Sequence, residues 1–351
     1  MKNLKKSTLI ITILSFLALF TSAKAEIKVV ASIKPIHSLA SYLMDGVAKP
    51  DLIVDGYSSP HGFALKPSHA KMLQEADLIF WVGEDLENFM EKPLDSIAKK
   101  AEKIELMEIK GLNKLKFRER NIFGDHDDHD DHGHKEDGHK KDDHDDHDHK
   151  KKDGHDDHDD HGHKKKDDHD DHDDHAGHEG HHHGEHDPHI WLDPMNAKVI
   201  LNEMAEHLIE NDAKNASKYK SNLKKALKDI DKLVSDVSSE LNQSVASIVF
   251  HDAYQYFEKR FGLSVVGALT VNPDVMPGAE QLSEIREVIG EKKVKCIFSE
   301  PQFNPAIIKS IASDTGVKTG VLDPLGATIN KSKNMYFNLI EDMSNALKDC
   351  S

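Results

Sequence analysis

From Glu26 onward the chain alternates short apolar runs with amphipathic stretches, and it does so in two rounds. Strands that alternate with helices build βαβ units and a mainly parallel sheet, because a parallel connection needs a crossover element. In the first round Ile27–Ile33, Asp51–Val54 and Asp77–Val82 read as strands, with a weaker fourth at Glu105–Ile109. Between them Ile36–Asp45, Pro67–Ala76 and Leu86–Ala101 carry helical spacing. Gly46 stops the first helix, Ser68 is placed to cap the second, and Pro93 is placed to kink the third. In the second round Ser247–His251, Leu263–Leu269, Val294–Ser299 and Lys318–Leu322 read as strands. Tyr254–Phe261, Gly278–Glu291, Pro305–Asp314 and Asn334–Asp349 read as helices. Between the rounds lie a helix over Pro194–Asn211 and a Lys-rich stretch, Ala213–Leu241, free of Gly and Pro. In that stretch Leu223, Leu227, Ile230, Leu233, Val234, Val237 and Leu241 recur every three or four residues. That predicts an amphipathic helix of about 30 residues, about 40 Å long. The expected architecture is α/β, with two parallel-sheet βα lobes bridged by one long rigid helix. The lobes are expected over 26–212 and 243–351, and the linking helix over 213–242.

The segment Asp125–Asp187 departs from this pattern. It holds 20 of the 26 His, 26 of the 63 acids and 9 of the 46 bases, so it carries the whole net charge of −17. The remainder has 37 acids and 37 bases and ordinary globular character, with no basic patch to suggest nucleic acid. Units such as His126–His129, His129–His132 and His144–His147 repeat the pattern His-Asp-Asp-His. Almost no apolar residue is available to offset chain entropy, which predicts a disordered insert in the first lobe. Imidazoles and carboxylates on a floppy chain form many weak divalent-metal sites. His126, His129, His132, His144, His147, His181, His182 and His183 are the expected secondary ligands. His178-Glu179-Gly180-His181-His182 formally matches the H-E-x-x-H protease motif, but it lies between glycines without a helical stripe and is rejected as such.

Lys2, Lys5 and Lys6 precede an apolar run from Thr8 to Phe20, and Ala23-Lys24-Ala25 follows. A basic start, a short apolar core and an Ala-x-Ala site predict a cleavable signal peptide over residues 1–25 and an exported protein that does not itself span a membrane. Cys296 and Cys350 are expected to pair in that compartment.

Six His lie outside the insert. His61 follows the second strand, His189 sits in Asp187-Pro188-His189-Ile190-Trp191-Leu192-Asp193-Pro194, and His251 ends a strand. These are the positions where a βα architecture places ligands. Asp323 ends the last strand and is a fourth candidate. Three imidazoles with one carboxylate or one water make a tetrahedral Zn²⁺ shell, and the fourth position stays open between Asp323 and water. His37 and His69 lie beside helix starts and read as structural; His207 reads as an exposed mid-helix residue.

With these residues in place, the chain resembles the zinc-binding receptors of bacterial zinc ABC importers (ZnuA-type, with the TroA-like fold of cluster A-I solute-binding proteins). The resemblance rests on Ala31–Ser38, Pro60-His61, Leu65–Ser68, Ala76–Gly83, Asp187–Pro194, Phe250–Tyr254, Ser299–Phe303 and Leu322–Gly326, which span the mature chain. It implies metal in a cleft between two lobes, with His61, His189 and His251 as ligands. In manganese and iron relatives the third ligand is Glu; His251 at that position favours zinc. Some zinc members carry Glu just before the first ligand, where this chain has Pro60. The implied partners are an inner-membrane permease with its ATPase, and a periplasmic zinc chaperone. The expected role is a monomeric periplasmic receptor, not an enzyme: no nucleophile elbow or P-loop is present. A Mn²⁺ or Fe²⁺ receptor and a free-standing metal buffer are the competing expectations, and a zinc hydrolase the third.

Overall fold

The computed structural model describes residues 26–118, 120–123, 184–241, 245–273 and 275–350. The expected signal peptide and the eight secondary His ligands, His126 to His183, fall outside these residues.

Two four-stranded parallel sheets form, with the same strand order. The first sheet is β2-β1-β3-β4 and the second is β6-β5-β7-β8. Their strands are β1 Val29–Ile33, β2 Asp51–Val54, β3 Leu78–Trp81, β4 Glu102–Glu105, β5 Ser247–His251, β6 Val265–Thr270, β7 Cys296–Ser299 and β8 Lys318–Val321. The interior strands β1, β3 and β5 are buried along their whole length, as unbroken apolar runs covered on both faces require. The helices are α1 Lys34–Leu43, α2 Pro67–Glu75, α3 Glu84–Ser96, α4 Pro194–Asn211, α5 Ala216–Glu240, α6 Gln255–Phe261, α7 Ala279–Glu291, α8 Ala306–Thr315 and α9 Met335–Lys348. In an open parallel sheet the crevice for a ligand opens at the carboxyl ends of the strands where the winding reverses, here between β1 and β3 and between β5 and β7.

Several local expectations are corrected. The fourth strand begins three residues earlier, at Glu102, and Leu106–Glu108 is a single 3₁₀ turn. Lys66, not Ser68, is the N-cap of α2, and the ring Nδ1 of His69 accepts from its N–H at 3.2 Å. The non-helical residue in α3 is Glu87 (φ −124°, ψ 52°), not Pro93. Glu87 is drawn inward because its Oε2 accepts from the N–H groups of Val82 and Gly83 at 2.7 and 3.1 Å. The long helix starts at Ala216, because Asp212 leaves helical geometry and Ala213–Asn215 forms a 3₁₀ turn. Asp212 there accepts from Asn215 Nδ2 at 2.6 Å and Tyr219 Oη at 2.9 Å. Its 25 residues span about 37 Å. Tyr219, Asn222, Ala226, Ile230, Leu233 and Val237 form its buried stripe. It is no free-standing strut: α1, α4 and α9 pack against it, and one continuous apolar core runs from β1 to α9.

Two features tie the lobes together beside the site. The buried Lys34 ammonium donates to the carbonyls of Gly326, Ala327 and Ile329 at 2.5, 3.1 and 2.6 Å. That clamps the loop after β8 to the start of α1. The segment 121–123 then adds to the edge of the second sheet, antiparallel to β6, through Ala268 N–H to Asn121 O (2.8 Å) and Phe123 N–H to Val266 O (3.0 Å). Gly267 permits this approach, since a Cβ there would stand 2.9 Å from the Asn121 carbonyl oxygen. The expected Cys296–Cys350 disulfide is present, with Cα atoms 5.9 Å apart, and fastens the end of the chain to β7.

Candidate metal centre

Three segments bring imidazoles to one point. His251 is the last residue of β5, His61 lies in the loop after β2, and His189 lies just before a 3₁₀ turn, Ile190–Leu192, that leads into α4. The last segment is held from several sides. Asp193 caps α4 by accepting from Met195 N–H at 2.9 Å, and Arg260 grips the same carboxylate with two bonds at 2.7 and 2.8 Å. Trp191 is fully buried and donates from Nε1 to the Pro324 carbonyl at 2.8 Å. Pro194 starts the helix where a missing N–H costs nothing.

The three rings form a nearly equilateral triangle, with centroids 5.6, 5.6 and 5.2 Å apart. One ring nitrogen from each lies within 4.8 Å of the other two. The Nε2 atoms of His189 and His251 are 3.3 Å apart. Each of these two rings is held from behind by a buried carboxylate. His189 Nδ1 lies 2.7 Å from Asp187 Oδ1, which also accepts from the His189 backbone N–H at 2.9 Å. His251 Nδ1 lies 2.7 Å from Glu300 Oε1, in the loop after β7. A carboxylate on Nδ1 makes that nitrogen the donor and turns the lone pair of Nε2 toward the centre, the arrangement that orients metal-binding imidazoles. The space between them is about 10 Å³, lined also by Pro60, Trp191, Phe303, Pro324 and Leu325. That is room for one ion or water.

The electrostatics fit a cation. Burial, reinforced by the neighbouring His251, pushes the His189 pKa well below its usual value. Burial works the same way on His251 and is the largest single influence, but Glu300 together with Asp252 and Asp187 outweighs it and the pKa rises. Burial pushes the Asp187 carboxyl up to about 7. Among the described residues, Asp187 Oδ2 and Glu300 Oε2 are buried without a hydrogen-bond partner. Buried carboxylates are costly unless a positive charge is near, and a dication on the three imidazoles supplies one.

The structure therefore brings His61, His189 and His251 together. Asp323 is not in that cluster: its Oδ1 accepts from Gln302 Nε2 at 2.9 Å and from Leu325 N–H at 3.1 Å. Of the structural His, His37 Nε2 lies 3.0 Å from the Pro50 carbonyl. Asp187 and Glu300 carry out a task that the residue pattern did not assign them. Composition predicts Asp187 as the end of a disordered insert, yet it is fully buried, and its N–H donates to Leu115 O at 2.9 Å. Its place in Asp-Pro-His was the available signal. Glu300 stands 49 residues from its partner, beyond any local pattern.

The chain matches the family described as "ZnuA: Zinc-uptake complex component A periplasmic" over residues 29–350. The high-affinity zinc uptake system protein ZnuA of Brucella abortus (strain 2308) is 44% identical over 324 residues, covering 92% of this chain and 91% of that protein. The protein of the same name from Yersinia pestis is 34% identical over 328 residues, covering 93% and 92%. A crystal structure of ZnuA superposes with a TM-score of 0.66 at 19% identity, covering 92% of this chain and 99% of that one, a likeness of fold.

Proposed function

The chain belongs to the ZnuA family of periplasmic zinc-uptake components, and from that premise we propose how its residues capture and yield the ion. Its function is to bind Zn²⁺ in the periplasm and deliver it to an ABC importer made of a permease and an ATPase. His61, His189 and His251 hold the ion through neutral imidazole nitrogens. The observation that carries this is the convergence of the three rings with two of them locked by buried carboxylates. Zn²⁺ with Asp187 and Glu300 sums to zero charge, which makes burial of a dication tolerable. A water takes the fourth position, since Asp323 stands outside the cluster of three imidazoles with its Oδ1 held by Gln302 and Leu325. Three nitrogen donors suit zinc better than Mn²⁺, which prefers oxygen. His61 is the least buried ligand, so it is the first to let go when the permease draws the ion out.

The remaining roles extend this reading. The His-rich insert collects Zn²⁺ and raises its concentration beside the cleft. Residues 1–25 direct export and are removed before Glu26, the receptor acts as a monomer, and a zinc chaperone supplies it. The two lobes extend over 26–212 and 243–351 and are joined by the segment 213–242, whose helix packs into the core they share. Among the described residues no helix is long and apolar enough to cross a membrane. Competitive zinc titration of the full chain tests the ligand set. His61→Ala and His251→Ala are each expected to abolish the tight site and spare weak binding; a tight site retained in either variant overturns the assignment.

A further inference from the structure

We propose that the first lobe carries a second divalent-cation site, formed by Glu102, His207 and Glu210 and separate from the cargo centre. Glu102 opens β4, while His207 and Glu210 lie one turn apart near the end of α4. One ligand atom from each lies within 4.8 Å of the other two, a limit that the three cargo imidazoles also meet. His207 is a partly buried member of this cluster, not the exposed mid-helix residue its spacing suggested.

The ring is presented as a ligand. His207 Nε2 lies 3.3 Å from Glu203 Oε1, one turn earlier on α4. Nδ1 faces the other way and stands 2.7 Å from Glu102 Oε1. That Nδ1 has no surface of its own, and the approach lacks the alignment of a hydrogen bond, so the atom is buried without a hydrogen-bond partner. A ring lone pair and a carboxylate oxygen this close repel unless a proton or a cation lies between them. In the proposed site the cation takes that place and is shared by both. Glu102 is turned into the cluster because its Oε2 accepts from Asn211 Nδ2 at 2.8 Å, which leaves Oε1 for the ring. The design repeats the cargo centre: one ring nitrogen rests on a carboxylate and the other faces the ligand.

One imidazole with two carboxylates suits a borderline divalent ion, Zn²⁺ first. Glu102 and Glu210 are exposed, so the ion exchanges faster and binds more weakly than in the buried cargo centre. The start of β4 is at the amino end of a parallel sheet, whereas His61 lies beyond the carboxyl end of β2. The ion is therefore no second cargo position. It staples the start of an edge strand to the end of α4.

Zinc-edge anomalous diffraction from crystals of the full chain equilibrated with ZnCl₂ tests this. A peak is expected among Glu102, His207 and Glu210 in the wild type and also in His251→Ala, which separates this site from the cargo centre. The peak is expected to vanish in His207→Ala and in Glu210→Gln. In solution, the Asn211 side-chain amide is expected to shift on zinc addition beyond the first equivalent. At least tenfold more zinc should be needed for that shift in Glu210→Gln. Wild-type crystals without the peak, or a peak that survives His207→Ala, overturn the proposal.

Discussion

At the scale of the residue, the three imidazoles proposed as ligands differ in what holds them, and mutations should report that difference. His189 and His251 each lean on a buried carboxylate, 2.7 Å away in both cases. Replacing Asp187 by Asn, or Glu300 by Gln, keeps an acceptor for Nδ1–H but removes the compensating charge. Each is expected to weaken zinc binding by about 10–100-fold in competition titration without unfolding the protein. Asp323→Asn should cost less than either, because Asp323 stands outside the imidazole cluster. Glu87 offers a test by pH. Burial raises its carboxyl to about 7, against the Gly83 and Val82 hydrogen bonds that favour the charged form. Its folded pKa lies above the unfolded value of 4.5, so between 4.5 and about 7 the folded chain binds the extra proton. Stability therefore falls as pH rises through that window. Glu87→Gln should remove up to one proton of that dependence, seen by comparing urea midpoints of the two proteins from pH 4.5 to 7. His61, His189 and His251 were legible at this scale, because strand ends and the Asp-Pro-His context single them out. Glu300 was not: its role depends on β5 and β7 lying side by side.

At the scale of the element, type and order were legible while ends were not. Seven of the eight strands and the major helices lie where the apolar periodicity placed them, and the fourth strand shares only Glu105 with its expected range. The ends moved wherever a side chain competed for backbone groups: Lys66 and His69 at α2, Glu87 at α3, Asp212 before α5. The edge pairing of 121–123 with β6 had no signal of its own, since three residues carry no usable period. It depends on Gly267, where a larger residue collides with the Asn121 carbonyl. Gly267→Val is expected to strip this segment from the sheet and to speed hydrogen exchange at Phe123 and Ala268 at least tenfold. The disulfide acts at this scale too. It closes a loop between residues 54 apart and fixes the end of α9 to β7. Replacing both Cys by Ser should cost about 2–4 kcal/mol in denaturant titration.

At the scale of the whole molecule, two sheets of identical strand order face their carboxyl ends toward one centre, and the switch points are filled differently. In the second sheet His251 and Glu300 occupy the crevice between β5 and β7. In the first, Glu87 closes the corresponding place by bonding Val82 and Gly83, and the imidazole that reaches the centre, His61, comes from the loop after β2 instead. Deleting 125–183 should leave the fold and the tight zinc site intact, with affinity within about threefold, and remove most weak sites; calorimetry on both chains checks this. The deletion must stop short of Asp187, whose carboxylate belongs to the centre. The sequence alone determined the α/β class, the separation of the acidic insert from the fold, the pairing of the two cysteines and the three imidazoles. Each of these follows from local composition, period or context. Only the tertiary structure decided which carboxylates stand behind those imidazoles, that Asp323 is engaged elsewhere, and that α5 is one member of a shared core. Those depend on distances between residues far apart in the chain, which periodicity does not encode.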